Sequence, residues 1–220
     1  MKLSKRLQCI FDMIPAGGIA ADVGSDHGKL IISLFLEGKI SKGYAIENKN
    51  GPFTRLKGEI EINKVDKNII PLLSDGISKL PMEVDRVIVA GMGGYLISDI
   101  LKSHQEKLEN VEWIIVDPHN AIKEVREEIT NLGYHIYDEE MIYEDQIYYE
   151  IILFKKGKGQ ELSELEKEFG PILLKKKSTL FKQKYEEKLK SIRDMIDKKA
   201  IPATKKAILE AKIKRIEEIL

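Results

Sequence analysis

Cysteine and long hydrophobic runs are scarce in this sequence, and each scarcity excludes a class of protein. A single cysteine, Cys9, among 220 residues leaves no internal disulfide and no cysteine-rich zinc site. No run of eighteen apolar residues occurs, which excludes a membrane-spanning helix. Residues 1–7 lack the apolar segment of a secretion signal. We therefore expect a cytoplasmic protein that needs neither a membrane nor a metal.

The charges balance over the whole chain but not along it. Residues 1–154 contain 17 lysines and arginines against 25 aspartates and glutamates, whereas residues 155–220 contain 19 against 11. This division predicts an acidic ligand-binding domain, residues 1–156, followed by a basic appendage for a polyanion, residues 160–220. Alternatively, the lysines of the appendage only keep a helical surface soluble.

Short β-rich runs alternate with helical patterns through most of the acidic half. This alternation is typical of an α/β protein with a parallel, doubly wound sheet, in which the residues that end the strands share one rim. The predicted strands are Ile19–Val23, Gly43–Glu47, Ile69–Leu73, Arg86–Ala90 and Trp113–Asp117, and the predicted helices between them are Lys29–Glu37, Gly51–Asn63, Gly94–Leu101 and Ala121–Leu132.

The alternation stops after the fifth strand. Two strand-like runs, Tyr134–Tyr143 and Tyr148–Phe154, are joined by a connection too short for a helix, so they predict an antiparallel hairpin. Five parallel strands followed by an antiparallel pair are the layout of class I methyltransferases that use S-adenosylmethionine. A dehydrogenase domain would continue with another parallel unit. The predicted fold is therefore a Rossmann-like, seven-stranded α/β sheet with an antiparallel final hairpin.

The basic half has no strand-like run. Gly170 and Pro171 interrupt a first helical pattern there, and a long amphipathic pattern follows. Ile201 and Pro202 break that pattern, and the proline begins a last helix. Two amphipathic helices joined by a short turn predict an antiparallel, coiled-coil-like helical hairpin.

The most informative segment is the turn at residues 20–28, which joins the first strand to a helix. Gly24 permits its sharp backbone path. Asp26 occupies the position at which dinucleotide-binding turns let the backbone approach a pyrophosphate. A carboxylate there repels a diphosphate and suits a positively charged ligand, such as the amine and sulfonium of S-adenosylmethionine. The turn therefore favours a methyltransferase.

Each polar residue of this turn has an expected role. We expect Asp22 to anchor the amino group of the cofactor, with Gly24, Ser25 and Asp26 beside it. Asp26 is also expected near the reactive methyl group or the acceptor base, and His27 is expected to stack on that base or donate a hydrogen bond to it. Alternatively, Asp26 or Ser25 caps the following helix, and His27 is an ordinary turn residue.

Acidic residues also follow the second and third strands. Glu47 ends the second strand about twenty positions beyond the glycine turn, where a carboxylate binds ribose hydroxyls. Asp75 follows the third strand, where its side chain can accept a hydrogen bond from an adenine amino group. We expect Glu47, Asn48, Asp75 and Gly76 to bind the cofactor, although Glu47 could be a surface glutamate and Asp-Gly is also an ordinary turn.

A glycine-rich segment ends the fourth strand directly before a helix. Three glycines within residues 91–94 indicate that the backbone comes close to another group, which we expect to be the methionine portion of the cofactor or an incoming base. We therefore place Ala90, Gly91, Met92 and Gly93 in the cofactor site.

The fifth strand ends in Asp117-Pro118-His119-Asn120 on the same rim. Amino-group methyltransferases of nucleic acids carry Asn or Asp followed by Pro-Pro and an aromatic residue at the fourth strand instead. The absence of that motif argues against methylation of an exocyclic amine and leaves a ring nitrogen open. Asp117 and Asn120 contact the target base or, alternatively, serve as turn or cap residues. We count Asn120 with Asp26 and His27 as a catalytic candidate.

Taken together, the motifs resemble the bacterial tRNA (adenine-22)-N1-methyltransferases. The combination covers nearly the whole chain and is specific, whereas no single motif is. The matching segments are Leu3–Leu7, Asp22–His27, Gly51–Phe53, Ala90–Gly94, Tyr149–Ile152 and Phe169–Pro171. The family's Gln-Pro-Asn run at the fifth strand is replaced here by Asp117–Asn120. The resemblance implies a class I methyltransferase domain followed by a coiled-coil-like hairpin.

The resemblance also implies the reaction: methyl transfer from S-adenosylmethionine to N1 of adenine 22 in tRNA. N1 carries an in-plane lone pair, so the protein has only to align the base and stabilise its developing positive charge. Because N1 is used in base pairing, the base must be unpaired or flipped out. The alternatives are a methyltransferase for another substrate and a non-catalytic RNA-binding scaffold.

Overall fold

The computed structural model describes residues 2–198 and 201–220, and within these residues seven strands form one sheet. The strands are β1 (Ile19–Val23), β2 (Lys42–Glu47), β3 (Ile69–Leu73), β4 (Arg86–Met92), β5 (Trp113–Pro118), β6 (Tyr134–Glu144) and β7 (Ile147–Lys156). They lie in the order β3-β2-β1-β4-β5-β7-β6. The first five are parallel, and β7 runs antiparallel to both β5 and β6. The predicted fold class is confirmed.

Among the described residues, five α-helices accompany the sheet, and the four that lie between its strands begin and end within one residue of the predicted positions. The five are α1 (Lys5–Met13), α2 (Lys29–Leu36), α3 (Asn50–Ile62), α4 (Gly94–Lys102) and α5 (Ile122–Asn131). The larger differences lie in the strands. β4 continues past Ala90 to Met92 through a register shift against β5, and β7 is longer than its apolar run because it pairs with β6 up to Lys156.

Both faces of the sheet are buried, and β4 shows why. Val87 and Val89 belong to one hydrophobic cluster, whereas Ile88 belongs to the other, and all three side chains are fully buried. Successive side chains of a strand point to opposite faces, so a continuous apolar run supplies both clusters at once. The polar residues that end the strands are left at the rim.

A buried ion network fixes α5 to the antiparallel edge of the sheet. Arg126 is fully buried, and its guanidinium donates to Glu139 Oε1 of β6 at 2.8 Å and to Glu150 Oε2 of β7 at 2.6 Å. An unpaired charge at this depth would destabilise the fold strongly, so the three side chains depend on one another.

The chain divides into two compact units, Met1–Glu161 and Leu162–Leu220, and the second is helical. Its helices are α6 (Glu164–Phe169), α7 (Pro171–Lys176), α8 (Thr179–Lys198) and α9 (Ala203–Ile219). The long helix expected after Pro171 is divided at Lys177, which adopts a left-handed conformation with φ of 38°. Ser178 Oγ then accepts a hydrogen bond from the Phe181 N–H at 3.3 Å and starts α8.

Side chains of α8 and α9 contact each other within the second unit. Arg193 Nη2 of α8 lies 2.6 Å from Glu217 Oε1 of α9, and Ile192 and Ile216 are buried. The predicted turn includes Lys199 and Ala200, which lie outside the described residues. The helix expected at Pro202 begins directly after it, at Ala203.

Candidate active site

A cavity of about 390 Å³ lies at the carboxyl ends of β1, β2, β3 and β4, and we call it the main cavity. Pro52, Leu96 and Ile100 supply apolar wall, and Glu47 and Asp75 supply carboxylates. Flat apolar walls with a few convergent polar groups are typical of small-molecule sites. Of the residues expected to bind the cofactor, the following line this cavity: Gly24, Asp26, Glu47, Asn48, Asp75, Gly76 and Met92.

Glu47 is held in place by the backbone around it. Its side chain is nearly buried, and Oε1 accepts hydrogen bonds from the N–H groups of Asn48 at 2.9 Å and Lys49 at 3.1 Å. The Glu47 carbonyl also accepts from the Ser74 N–H at 3.0 Å, which fixes the end of β3 beside the end of β2. Glu47 and Asp75 therefore share one wall of the main cavity.

A smaller cavity of about 250 Å³, here called the side cavity, adjoins the glycine turn. Asp22, Ser25, His27 and Ala90 line it, as expected for a site at the same rim. Gly24 and Asp26 line both cavities. A ligand group in the main cavity and a second ligand in the side cavity would thus meet beside Gly24 and Asp26.

Gly24 is required both by its conformation and by its neighbour. Its φ is +75°, and its N–H donates to the Ile46 carbonyl at 2.9 Å, which ties the turn to β2. A Cβ at this position would lie 2.1 Å from Met92 Cε. A side chain here would therefore require the end of the flexible Met92 side chain to move.

Asp22 is a nearly buried carboxyl group. Its Oδ2 accepts a hydrogen bond from Ser25 Oγ at 2.6 Å. Desolvation by burial raises the pKa of Asp22 from 3.8 to about 6, and the hydrogen bond from Ser25 opposes this only in part. A cationic ligand in the side cavity would favour the ionised form.

Asp26 presents an exposed carboxylate to both cavities. It adopts φ of 45°, a conformation that Asp tolerates better than most residues. Its oxygens lie 3.6 Å from His27 Nε2 and 3.8 Å from Arg55 Nη2. The alternative that Asp26 or Ser25 caps α2 is wrong, because the N-cap residue is Gly28 and no side chain bonds to that helix end.

Asn120 has a structural hydrogen bond at the rim. Its Oδ1 accepts from the N–H of Gly94, the first residue of α4, at 3.0 Å. Asn120 is therefore not an N-cap residue, since Gly93 holds that position in α4 and Ala121 holds it in α5, but its side chain accepts from the first N–H of α4. As a candidate for contact with the base, Asn120 lines neither the main nor the side cavity.

The backbone at residues 91–94 does come close to another group, but for Gly93 and Gly94 that group is Asn120 of the same chain, where a cofactor or a base was expected. A Cβ on Gly94 would lie 2.3 Å from the Asn120 carbonyl oxygen, and one on Gly93 would lie 3.4 Å from Asn120 Oδ1. Gly91 and Gly93, expected in the cofactor site, line neither of the two cavities. The glycines instead allow the turn after β4 to pack against the loop after β5.

Arg6 is one of the lining residues that the sequence analysis did not place in the site. It lines the side cavity, pairs with Asp117 of β5 and lies with Cζ 5.4 Å from the centre of the Tyr149 ring. Asp117 is fully buried behind it. The only signal in the sequence was that Arg6 lies in the segment Leu3–Leu7, which supports the family resemblance.

Metal-binding clusters and membrane-spanning helices are both absent from residues 2–198 and 201–220, the part of the chain that the structure describes. No group of three or more His, Cys, Asp or Glu side chains there could hold a metal ion. No helix there combines the length and the apolar character needed to cross a membrane.

The comparisons with known proteins agree on one family. The family model for tRNA (adenine(22)-N(1))-methyltransferase matches residues 20–218. A tRNA (adenine(22)-N(1))-methyltransferase of Bacillus subtilis strain 168 is 33% identical over 227 residues, which cover 99% of this chain and 95% of that protein.

Solved structures give the same result. A Streptococcus pneumoniae tRNA (m1A22) methyltransferase homologue crystallised with S-adenosyl-L-methionine is 31% identical, with a TM-score of 0.92 and full coverage of both chains. The M. capricolum TrmK protein, in complex with S-adenosyl-homocysteine, is 27% identical, with a TM-score of 0.89, and the match covers 99% of this chain and 97% of that one.

Proposed function

Because the chain belongs to the tRNA (adenine(22)-N(1))-methyltransferase family, we propose that its two cavities receive the methyl donor and the acceptor base and that Asp26 acts where they meet. The protein is an S-adenosylmethionine-dependent methyltransferase that modifies N1 of adenine 22 in tRNA. Since tRNA is its substrate, we place it in the cytoplasm.

The residues of the main cavity fit S-adenosylmethionine. Glu47 is held ready to accept hydrogen bonds from ribose hydroxyls, and Asp75 can accept from the adenine amino group. The apolar wall suits the faces of the adenine ring. The methionine end of the cofactor would extend past Gly24, where Asp22 can bind its amino group, so it would share the side cavity with the acceptor base. When bound, the cofactor supplies a methyl group on a sulfonium.

The observation that carries the role of Asp26 is that its exposed carboxylate lines both cavities. Attack by adenine N1 leaves a positive charge on the base, and a fixed carboxylate beside it stabilises that charge. Asp26 can also accept a proton from the N6 amine as the charge develops. In both roles Asp26 acts on the acceptor base, whereas Glu47 acts on the donor.

This difference can be tested with Asp26→Asn and Glu47→Gln. We expect Asp26→Asn to lower kcat for tRNA by about a hundredfold or more while the dissociation constant for S-adenosylmethionine changes little. Glu47→Gln should weaken cofactor binding, and at saturating cofactor it should lower kcat less than Asp26→Asn does. Single-turnover methylation and calorimetric titration measure the two quantities. Near-normal turnover of Asp26→Asn would refute the role assigned to Asp26.

The second unit is proposed as the tRNA-binding appendage. Residues 162–220 contain 16 lysines and arginines against 10 aspartates and glutamates, whereas residues 1–154 are strongly acidic. Phosphate contacts supply most of the sequence-independent affinity for nucleic acids and require positive charge. The exposed run Lys175–Lys177 is a candidate for such contacts.

A further inference from the structure

Arg6 is held at the rim by three adjacent strands. At the start of α1, the N–H groups of Lys5 and Arg6 donate to the carboxylate of Glu144 in β6, at 2.7 and 3.4 Å. The Arg6 guanidinium pairs with Asp117 of β5 and lies over the ring of Tyr149 in β7. Since β5, β7 and β6 are neighbours in the sheet, the antiparallel edge fixes both the helix and the side chain.

The Arg6 side chain retains access to the side cavity. It is 22% exposed, while Asp117 behind it is fully buried. A guanidinium has five N–H donors in a planar fork, and the bond to Asp117 Oδ2 uses Nη1. Asp117 therefore holds the guanidinium in place and leaves donors that can reach a ligand.

Arg6 and Asp26 differ in which of the two cavities they line. Asp26 lines both cavities, whereas Arg6 lines only the side cavity. A base in the side cavity must present its reacting nitrogen at the junction, beside Asp26. Its more distant atoms then lie on the side of the cavity that Arg6 can reach.

The edge of adenine that carries N6 and N7 can be recognised while N1 stays free. N1 must face the methyl group, so it cannot also serve as the recognition atom. The N6 amine, a donor, is attached next to N1, and N7, an acceptor, follows on the same edge. A carboxylate matches N6 and a guanidinium matches N7, which is the order in which Asp26 and Arg6 occur from the junction outward.

We propose that Arg6 donates a hydrogen bond to N7 of the acceptor adenine while Asp26 faces its N6 amine, with Asp117 and Tyr149 positioning the guanidinium. The inference rests on the proposed function, since it assumes that the acceptor base enters the side cavity. It also accounts for selection against guanine, whose O6 is an acceptor and would face the Asp26 carboxylate.

The test removes N7 from the substrate and Arg6 from the enzyme. A tRNA with 7-deazaadenine at position 22 lacks the acceptor and is compared with the unmodified tRNA. We expect the wild-type kcat/KM to fall about ten- to a hundredfold on the 7-deaza tRNA, as for loss of a charge-assisted hydrogen bond. Arg6→Ala should lose a similar factor on unmodified tRNA, and on the 7-deaza tRNA it should show only the effect of the altered N1, without the further loss expected for wild type.

Comparing both enzymes on both tRNAs separates the loss of the Arg6–N7 hydrogen bond from other effects of the two substitutions. The 7-deaza substitution also changes the basicity of N1, but that change acts on both enzymes. It cancels when the loss of kcat/KM on 7-deaza tRNA for wild type is divided by the same loss for Arg6→Ala. Lys5→Ala removes one positive charge from the neighbouring position and should retain the full sensitivity to 7-deaza substitution. As a second readout, the affinities of the cofactor-free enzymes for the two tRNAs, measured by fluorescence anisotropy, should show the same pattern.

The positioning role of Asp117 is tested by Asp117→Asn. We expect a reduced response to 7-deaza substitution with unchanged affinity for S-adenosylmethionine, because a neutral partner holds the guanidinium less firmly. Equal effects of 7-deaza substitution on wild type and Arg6→Ala would overturn the contact with N7. If wild type did not methylate unmodified tRNA at position 22, the proposed function itself would fail, and this outcome is distinct from a lack of coupling.

Discussion

Asp22 shows how a single buried carboxyl group links cofactor binding to pH. Its burial raises the pKa from 3.8 to about 6, so between these values the folded protein binds a proton that the unfolded chain releases. The contribution of Asp22 to the free energy of unfolding therefore falls as pH rises through about 6. At neutral pH its ionisation destabilises the free protein by roughly 3 kcal/mol. A cationic ligand would offset this cost.

We expect the affinity for S-adenosylmethionine to fall about tenfold per pH unit below about pH 6 if, as proposed, the amino group of the cofactor binds the ionised form of Asp22. Calorimetric titration over about pH 5 to 8 measures this dependence. Asp22→Asn should flatten the profile and, without cofactor, raise the free energy of unfolding at neutral pH. A wild-type affinity that does not change over this range would contradict the proposed role of Asp22.

Among the elements of the fold, the turn after β4 and the loop after β5 pack directly against each other. Gly94 begins α4, donates its N–H to Asn120 Oδ1 and lies too close to the Asn120 carbonyl for any side chain. This contact joins the ends of β4 and β5 at the rim, close to Ala90, which lines the side cavity. The glycine-rich segment therefore shapes the site without lining it.

Two helical glycines with different surroundings test this view. Gly94→Ala should lower the free energy of unfolding by about 1–3 kcal/mol, because its Cβ would lie 2.3 Å from backbone that must shift. Gly58→Ala, within α3 and with nothing within 4 Å of its Cβ, should raise it by up to about 1 kcal/mol. Urea denaturation measures both. A change of the same sign in the two variants would show that the close approach at Gly94 is not restrictive.

For the whole molecule, the two units have opposite net charge, and we propose that they have separate tasks. The acidic unit contains both cavities, and a negatively charged surface repels the phosphates of RNA. The basic unit contains none of the residues that line them. Donor binding and RNA binding are therefore expected to respond to different substitutions.

A triple substitution of Lys175, Lys176 and Lys177 by Gln should weaken tRNA binding and leave the affinity for S-adenosylmethionine unchanged. The slope of log affinity against log salt should decrease by roughly one for each phosphate contact that is lost. Fluorescence anisotropy at several salt concentrations measures both. The matched control replaces three exposed lysines of the acidic unit, Lys57, Lys64 and Lys67. Equal losses from the two triple variants would argue against the basic unit as the RNA-binding part.

Much of the fold could be predicted because its signals are local. The apolar run that ends at Val23 and the glycine turn after it are adjacent in sequence, so β1, its turn and α2 follow from short-range patterns. The division between α7 and α8 at Lys177 could not be predicted in this way, because a single left-handed residue leaves the helical periodicity nearly intact.

Local patterns in the chain were enough to predict the succession of strands and helices, the antiparallel end of the sheet, the opposite charges of the two units and the carboxylates at the strand ends. These features are set by periodicity, composition and spacing within short segments. The folded protein was needed to show that Asp26 lines two cavities, that the Asn120 side chain bonds to the start of α4 and that Arg6 pairs with Asp117, 111 residues away. Such contacts depend on strand order and on which side chains the folded sheet brings together, and no local pattern encodes them.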